Sequence, residues 1–273
     1  MTIQELCKAI ELQECMEKGV LEFYSNYDFS QVEDMIQGLS QGTTAAATYE
    51  KLSTYFPEDE GKIKELTVFI LAALRSYETY MEKGISEKIF VDTMKCFTRY
   101  TQECKVKDGY YEFDRGFWAY RQASMLLFRL GQLEFEMRFG DQGERLMGVH
   151  IPSDAKLTPE CVQESIDMAL EFFPKHYPDY ADVEYSCYSW LMAPGLREIL
   201  DENSNIVQFQ NHFHVHTEDR EPMSVLEWVF KVPENTEIAA LPENTSLQRK
   251  LKAMLLKGEN TGIGIGTLIK PKK

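Results

Sequence analysis

The sequence has no long apolar segment and no surplus of positive charge. Its longest uninterrupted apolar run covers residues 68–74 and ends at Arg75, well short of the roughly 18 residues that a membrane-spanning helix needs. The N-terminal segment has neither the basic nor the apolar region of a secretory signal. Lys and Arg number 29 against 44 Asp and Glu, for a net charge of −15. We therefore expect neither nucleic acid nor a membrane surface as a partner.

The six cysteines form no CxxC pair and no dense framework, which argues against a disulfide scaffold and favours reduced thiols in the cytoplasm. Internal repeats and low-complexity segments are also lacking. Apolar residues make up 44% of the chain and aromatic residues 12%, which is enough for a substantial hydrophobic core. The length of 273 residues fits one large domain or two smaller ones. Composition thus predicts a cytoplasmic globular protein and indicates no activity.

Apolar spacing divides the chain near residue 112. Up to residue 110, apolar side chains recur every three or four positions, as in amphipathic helices, without period-two alternation. The helices predicted in this part cover residues 2–17, 43–55, 62–83 and 86–105. After the turn signal Asp108-Gly109, alternating segments are mixed with helical ones. We predict an all-α domain over residues 1–112 and a mixed-sheet domain over residues 113–273.

Strands and helices alternate in the second domain. Residues 133–139 alternate apolar and charged side chains, and residues 145–151 can return antiparallel after a glycine-containing turn. Thr158 and Pro159 are typical of the cap and first position of a helix. The predicted helices cover 115–129, 158–173, 196–200, 206–213 and 247–256, and the predicted strands cover 133–139, 145–151, 183–191, 214–217, 225–231 and 262–269. The fold class is therefore α+β.

The segment Gly262-Ile-Gly-Ile-Gly266 has glycines at the spacing of a phosphate-binding loop. Such a loop needs a strand before it and a helix after it, because the N–H groups of the helix bind the pyrophosphate. Only seven residues follow Gly266, which leaves no room for that helix. Glycines at alternate positions favour instead a terminal strand in close contact with another strand or a ligand.

Three histidines alternate in His212-Phe-His-Val-His216. On a strand, alternate side chains share a face, so the three imidazoles could bind a metal such as zinc. If a helix ends near Phe213, the imidazoles point in different directions. A single histidine that carries a proton, or a histidine of the surface or core, is the favoured interpretation, and we expect no bound metal.

Two further groupings of reactive side chains give weak signals. The strand over 183–191 carries two serines and Cys187, which could act as nucleophiles with His150 as the base. No G-x-S-x-G elbow surrounds either serine, and Cys187 lies in no cysteine-hydrolase signature. Glu134 and Glu136 share one face of the first strand, and we interpret them as the solvated side of a hairpin rather than as paired glycosidase carboxylates.

The junction between residues 148 and 159 combines a strand end, a short polar loop and a well-capped helix start. The N-terminus of a helix attracts anions through its N–H groups and its dipole. Lys156 adds a positive charge in an otherwise acidic protein. An anion-binding site and an ordinary strand-to-helix connection both remain open for this junction.

Several segments of the chain resemble a bacterial family of acyltransferase-domain proteins, in which a helical N-terminal domain precedes a C-terminal domain of the GNAT (N-acetyltransferase) type. The segments that carry the resemblance are LGQLEFEMRF (130–139), GVHIPSDAKLTPE (148–160), YSWLMAPGLREIL (188–200), SNIVQFQNHF (204–213) and LPENTSLQRKL (241–251). The resemblance extends over most of residues 113–270, and the helical part matches more weakly. It implies acyl-CoA or acetyl-CoA as co-substrate, with no metal.

The resemblance implies a mixed sheet in which two neighbouring strands splay apart. The strand over 145–151 would lead into the helix at 158–173, which would hold the pyrophosphate of acyl-CoA. The strand over 183–191 would diverge from it and admit the pantetheine arm. Where ordinary GNAT enzymes have a Q/R-x-x-G-x-G/A loop, residues 151–158 contain no glycine.

The resemblance also implies roles for individual side chains. The first candidate for the base that deprotonates an attacking amine is His150, followed by His214 and Glu184. Tyr188 or Ser189 would protonate the departing thiolate. Backbone N–H groups near residues 188–190 would polarise the thioester carbonyl. The residues expected to contact CoA are Ile151, Ser153, Lys156, Leu157, Thr158 and Trp190.

Two functions remain open. The first is an acyl-CoA-dependent N- or O-acyltransferase, which transfers the acyl group directly to a nitrogen or an oxygen of a small-molecule acceptor. The acidic surface favours a cationic amine as that acceptor. The second is a catalytically inactive GNAT-like module that binds a metabolite or regulates a partner, which the missing glycines of the loop favour. The oligomeric state is open, a homo-oligomer included.

Overall fold

The computed structural model describes residues 1–140, 142–219, 223–233 and 235–270. By its internal contacts the chain divides into a first unit, Met1–Leu130, and a second unit, Gly131–Lys273. The predicted α+β class is confirmed, because helices make up the ordered elements of residues 1–112 and a mixed sheet follows. The domain boundary predicted at residue 112 stays a prediction.

The first unit consists of helices and one short strand at its end. Its elements are α1 (Ile3–Ala9), α2 (Glu14–Asn26), α3 (Glu33–Leu39), α4 (Ala45–Leu52), α5 (Ile63–Glu82), α6 (Glu87–Met94), α7 (Cys96–Asp108), α8 (Gly116–Ala123) and β1 (Leu127–Leu130). Helix α5 buries Leu66, Phe69, Ile70 and Ala73, the face that its 3.6-residue spacing predicts. Among the described residues, none of the helices has the length and apolar character required to cross a membrane.

Several helices of the first unit end without a glycine or proline, and there the prediction is wrong. Glu11 has a positive φ of 58° and separates α1 from α2, and Lys95 separates α6 from α7. The predicted helix over 115–129 ends early, at Ala123, because Met125 adopts a φ of 62° and directs the chain into β1. These residue types carry no helix-stop signal, so the local sequence did not reveal the breaks.

The second unit contains a mixed sheet. Its strands are β2 (Leu133–Phe139), β3 (Arg145–His150), β4 (Glu184–Ser189), β5 (Phe213–Asp219) and β6 (Ile263–Leu268), and its helices are α9 (Pro159–His176), α10 (Leu196–Ile199), α11 (Asn205–Gln210) and α12 (Ser246–Leu255). The strands lie in the order β2-β3-β4-β6-β5, in which β3 and β4 are parallel and the other neighbours are antiparallel. Helix α9 is the crossover connection that the parallel pair requires.

One face of this sheet is apolar and packs on α9. Phe135 of β2 and Tyr185 of β4 both make edge-to-face ring contacts with Phe173 of α9. Met147 of β3 and Cys187 of β4 are completely buried on the same face. Because side chains alternate along a strand, the opposite face carries the polar residues of β2, β3 and β4.

A helical turn replaces the strand predicted over residues 225–231, and that prediction is wrong. Residues Leu226–Phe230 form a π-helical turn, and Val225, Leu226 and Phe230 are buried in a small cluster with Leu251 of α12. Buried positions at adjacent and five-residue spacings do not fit a strand, in which burial alternates. The β-branched and aromatic side chains whose composition favoured a strand pack here from a helical turn.

The glycine-rich segment at the end of the chain is a strand, as predicted. Gly264 and Gly266 lie in β6, directly beneath the turn Trp190–Met192 that follows β4. A Cβ atom on Gly264 would overlap the carbonyl oxygen of Met192, and one on Gly266 would stand 2.7 Å from the Met192 Cε. The alternate glycines therefore leave room for another segment of the chain, as glycines inside strands often do.

The first unit contains a buried carboxyl group, that of Glu65 at the start of α5. The residue is 4% exposed, and burial raises its pKa from 4.5 to about 7. Lys62, with its Nζ 3.6 Å from the Glu65 Oε2, acts in the opposite direction, while Asp59 and Glu112 add to the increase. The folded chain therefore binds a proton here more tightly than the unfolded chain does.

We predict that Gly264→Ala destabilises the second unit more than Gly266→Ala. The first substitution meets rigid backbone and the second mainly the flexible end of Met192, so we expect losses of about 3 and about 1 kcal/mol in the free energy of unfolding. Urea unfolding followed by tryptophan fluorescence measures both, since Trp190 and Trp228 lie in this unit. Equal losses for the two variants would contradict the packing described above.

We also predict that the stability conferred by Glu65 depends on pH. Because its folded pKa is raised, its contribution is complete below about pH 4.5 and is lost as the pH rises through 7. Relative to Glu65→Gln, the wild-type chain should lose about 3 kcal/mol of unfolding free energy between pH 4.5 and pH 8. The control is Glu78→Gln, the same substitution at an exposed position of the same helix, against which the effect of Glu65→Gln is compared.

Candidate functional site

The ladder between the parallel strands β3 and β4 ends before the strands do. It pairs Leu146 with Glu184 and, as its last pair, Gly148 with Ser186. β3 continues to His150, and β4 continues as far as Ser189, where it pairs with β6. Within the described part of the sheet, the carboxyl ends of β3 and β4 are thus not paired with each other. We call the place where this pairing is absent, between residues 149–150 and residues 187–189, the β3–β4 gap.

His150 and Glu136 form a close pair beside the β3–β4 gap. The His150 Nε2 lies 2.8 Å from the Glu136 Oε2, and the two side chains are 22% and 13% exposed. Glu136 lies directly opposite Gly148 in the β2–β3 hairpin, and a Cβ on Gly148 would stand 3.1 Å from the His150 Nε2. The imidazole therefore lies back over the glycine to reach the carboxylate. An ionised carboxylate only accepts hydrogen bonds, so the Nε2–H donates to Glu136.

The expectation that Glu134 and Glu136 form a solvated hairpin face is wrong. Glu134 is only 2% exposed, and the carboxylate of Glu136 is bound to His150. Alternation along a strand indicates which side chains share a face, but it does not indicate whether water covers that face. The register of the hairpin could have identified Glu136 as the partner of His150, because it places Glu136 opposite Gly148 and diagonal to His150.

Tyr188 and Ser189 lie on opposite faces of β4. Tyr188 is two residues beyond Ser186, as His150 is two beyond Gly148, so Tyr188 and His150 share the polar face at the β3–β4 gap. Tyr188 is 56% exposed. Ser189 faces the other side, where its Oγ accepts the N–H of Leu191 at 3.2 Å.

The other two base candidates lie away from the gap. Glu184 is at the far end of the ladder from Tyr188, a separation of roughly 13 Å along the strand. His214 is exposed on β5, which is separated from β4 by β6. His150 and Tyr188 thus lie on the same face beside the β3–β4 gap, whereas Glu184 and His214 lie away from it.

The three alternating histidines lie in different environments. Burial lowers the pKa of His212, which precedes β5. A β-bulge at His216 interrupts the β5–β6 register, and the Nε2 of His216 lies 3.2 Å from the Oγ1 of Thr267. The described residues contain no group of three or more histidine, cysteine or carboxylate side chains arranged to hold a metal ion.

The loop after β3 leads into the N-terminus of α9 as predicted. The Thr158 Oγ1 accepts the N–H of Cys161 at 3.4 Å, and Pro159 occupies the first helical position. The N–H of Lys156 donates to Gln132 Oε1 at 2.9 Å. The side chains of the expected CoA contacts are exposed at Ser153 and Lys156 and half-buried at Ile151, Leu157 and Thr158. The positive end of α9 therefore follows His150 by one short loop.

Cys187 lies on the apolar face of β4, and Trp190 begins the turn that follows this strand. Trp190 is half-buried and packs against a cluster that includes Leu196 and Leu226. Cys187 is fully buried, and burial raises the pKa of its thiol to about 12. A thiol that stays protonated at neutral pH is a poor nucleophile, so Cys187 is unsuited to carry an acyl group covalently.

Comparison with known proteins finds the same two-part organisation. Residues 127–268 match the family model of the GNAT-like C-terminal domain, and residues 1–125 match that of the N-acyltransferase N-terminal domain. A search of curated proteins finds no match.

Solved structures similar to this chain include an acyltransferase in complex with decanoyl-CoA and teicoplanin, one in complex with CoA and 10C-teicoplanin, and a mutant in complex with octanoyl-CoA. For each of the three the TM-score is 0.78 at 22% sequence identity, over 98% of this chain and 87% of the other. At this identity the likeness establishes a shared fold.

We predict that Gly148→Ala costs stability by crowding two side chains, those of Arg138 and His150. The added methyl group would stand 3.0 Å from the Arg138 Cδ and 3.1 Å from the His150 Nε2, and we expect a loss of about 1–2 kcal/mol in the free energy of unfolding. In a His150→Ala background the same substitution should cost less, because only the contact with Arg138 remains. A double-mutant cycle by urea unfolding measures this coupling, and strictly additive losses would contradict the contact.

Proposed function

Because the chain belongs to the family that joins an N-acyltransferase N-terminal domain to a GNAT-like C-terminal domain, we propose that it transfers an acyl group from acyl-CoA to an amine of a small molecule. The observation that carries the proposal is the placement of the His150–Glu136 pair at the β3–β4 gap. The solved acyltransferases with the same fold bind decanoyl-CoA, CoA or octanoyl-CoA, which supports acyl-CoA as the donor.

The β3–β4 gap suits the pantetheine arm of acyl-CoA. Strands that separate leave N–H and C=O groups that require other hydrogen-bond partners, and pantetheine contains two amides. Residues 149–150 and 187–189 border the gap. Beyond it, the start of α9 and the ammonium group of Lys156 would face the pyrophosphate. Ile151, Ser153, Leu157 and Thr158 belong to this segment, and Trp190 follows the end of β4.

His150 acts as the base in this proposal. Its Nε2–H donates to Glu136, so the Nδ1 is the nitrogen that takes the proton from the attacking amine. As the new C–N bond forms, a backbone N–H within residues 188–190 stabilises the negative charge that develops on the thioester oxygen. The C–S bond then breaks, and Tyr188 protonates the thiolate. The products are an amide and free CoA.

The charge of the site favours a cationic acceptor. Glu134 and Glu136 lie on the same face of β2 as His150, beside Arg138, and the whole chain carries a net charge of −15. Such a field attracts an ammonium group and raises its local concentration. The ammonium group must lose one proton to become a neutral amine before it attacks. His150 then accepts the proton that the amine nitrogen loses as the C–N bond forms.

A second candidate function is an inactive binding module with the same fold. It is favoured by the start of α9, where Thr158 already caps the N–H of Cys161 and Pro159 has no N–H to offer. Fewer free N–H groups mean weaker binding of a pyrophosphate. In such a module, removal of the His150 imidazole would leave the affinity for every ligand unchanged, and no amine would be acylated.

We predict that His150→Ala lowers the rate of CoA release from decanoyl-CoA by about 10²–10⁴ and leaves the Kd for decanoyl-CoA within about twofold of wild type. Glu136→Gln should lower the rate by about tenfold, because the imidazole loses its charged partner. The assay is thiol release with a panel of primary amines, and calorimetry gives the Kd values.

The matched control is His216→Ala, a histidine of the same sheet that lies on the strand β5. It should retain the wild-type rate and the wild-type Kd. Binding of acyl-CoA without turnover for any amine would favour the inactive module. Failure of the wild-type chain to bind acetyl-CoA or decanoyl-CoA at millimolar concentration would contradict both the donor and the proposed reaction.

A further inference from the structure

The turn Trp190–Met192, which follows β4, folds back onto β6. Ser189, the last residue of β4, pairs with Gly264 of β6, and the carbonyl of Met192 occupies the space that a side chain on Gly264 would need. The Met192 methyl group fills the same space above Gly266. The alternate glycines of β6, which the proposed reaction does not use directly, thus leave space for this turn.

A single buried side chain holds the turn from the other side. Gln210, the last residue of α11, is completely buried. Its Nε2 donates to the carbonyl of Leu191 at 2.7 Å and to that of Ala193 at 3.1 Å. The Gln210 amide therefore donates two hydrogen bonds to the backbone of a single turn. Among the described residues, no donor bonds the Oε1 of Gln210, which is costly for a buried polar atom.

These contacts fix the strand that borders the β3–β4 gap. After Ser186, β4 loses its pairing with β3 and keeps only that with β6. The turn after β4 is held by the Gln210 amide through the carbonyls of Leu191 and Ala193, and it lies in contact with Gly264 and Gly266 of β6. Together with the β4–β6 pairing, these contacts keep the end of β4 next to β6.

We propose that Gln210 is a positioning residue for the acyl thioester. It acts through the Trp190–Met192 turn, which holds the end of β4 against β6 and away from β3. This inference rests on the proposed function, since it assigns the gap to the pantetheine and thioester part of acyl-CoA. It does not involve the nucleotide part, which would bind beyond the gap at the start of α9.

The test compares two ligands on the full-length protein by titration calorimetry. Decanoyl-CoA fills the gap, whereas adenosine 3′,5′-bisphosphate represents only the nucleotide end of CoA. Gln210→Met keeps the size of the side chain and removes both donated hydrogen bonds, so we expect the Kd for decanoyl-CoA to rise about tenfold. The Kd for the bisphosphate should stay within about twofold of wild type. General destabilisation would not separate the two ligands.

Two further variants make the result decisive. Gln208→Met lies on the same helix, and Gln208 donates to the carbonyl of Glu202 rather than to the turn, so this control should leave both Kd values unchanged. Gly264→Ala pushes the turn away from β6 with Gln210 intact, and it should reproduce the selective loss. It also provides the test if Gln210→Met does not fold.

The inference is overturned if Gln210→Met and Gly264→Ala bind decanoyl-CoA as tightly as wild type, or if both ligands weaken equally. Either result, with normal binding by the wild-type chain, leaves the proposed function intact. If the wild-type chain binds neither ligand, the proposed function fails, and this inference fails with it.

Discussion

The early end of the β3–β4 ladder is the feature on which the rest of the candidate site depends. Beyond Gly148 and Ser186 the two parallel strands no longer pair with each other, while β3 still pairs with β2 and β4 still pairs with β6. The parallel register places His150 and Tyr188 on one face, and the start of α9 follows His150 by a short loop. In the proposed reaction, the base, the acid and the anion-binding helix end therefore lie around the point where the ladder stops.

Three glycines permit these contacts, because neighbouring groups occupy the space that a side chain would fill at each of them. The His150 imidazole lies over Gly148 to reach Glu136, and the Trp190–Met192 turn rests on Gly264 and Gly266. None of the three has a positive φ, so what each provides is room for a neighbour rather than backbone freedom. In a close-packed interior one methyl group at such a position displaces a neighbour. The lack of a side chain at these three glycines therefore shapes the site as much as the side chains around them do.

Predictions from the sequence succeeded where the signal is local. The N-cap of α9 and the alternation of β2 are each read within a few residues, and the corresponding elements are present. The predicted end of α9 at residue 173 is wrong, because the helix continues through Pro174 to His176. Predictions failed where tertiary contacts decide. The residues around Met125 and those over 225–231 have compositions that fit a helix and a strand, but packing selects the opposite in each case.

The sequence by itself determined the α+β class and the strand that leads into a capped helix, and the resemblance to the acyltransferase-domain family predicted His150 as the first candidate for the base. The partners of these groups came only with the tertiary structure. Glu136 is 14 residues from His150, and Gln210 is 19 from Leu191. Such pairs are formed by strand register and by the packing of a helix against a turn, and no periodicity within a short window records either. Local physics specifies elements, whereas a site requires contacts between them.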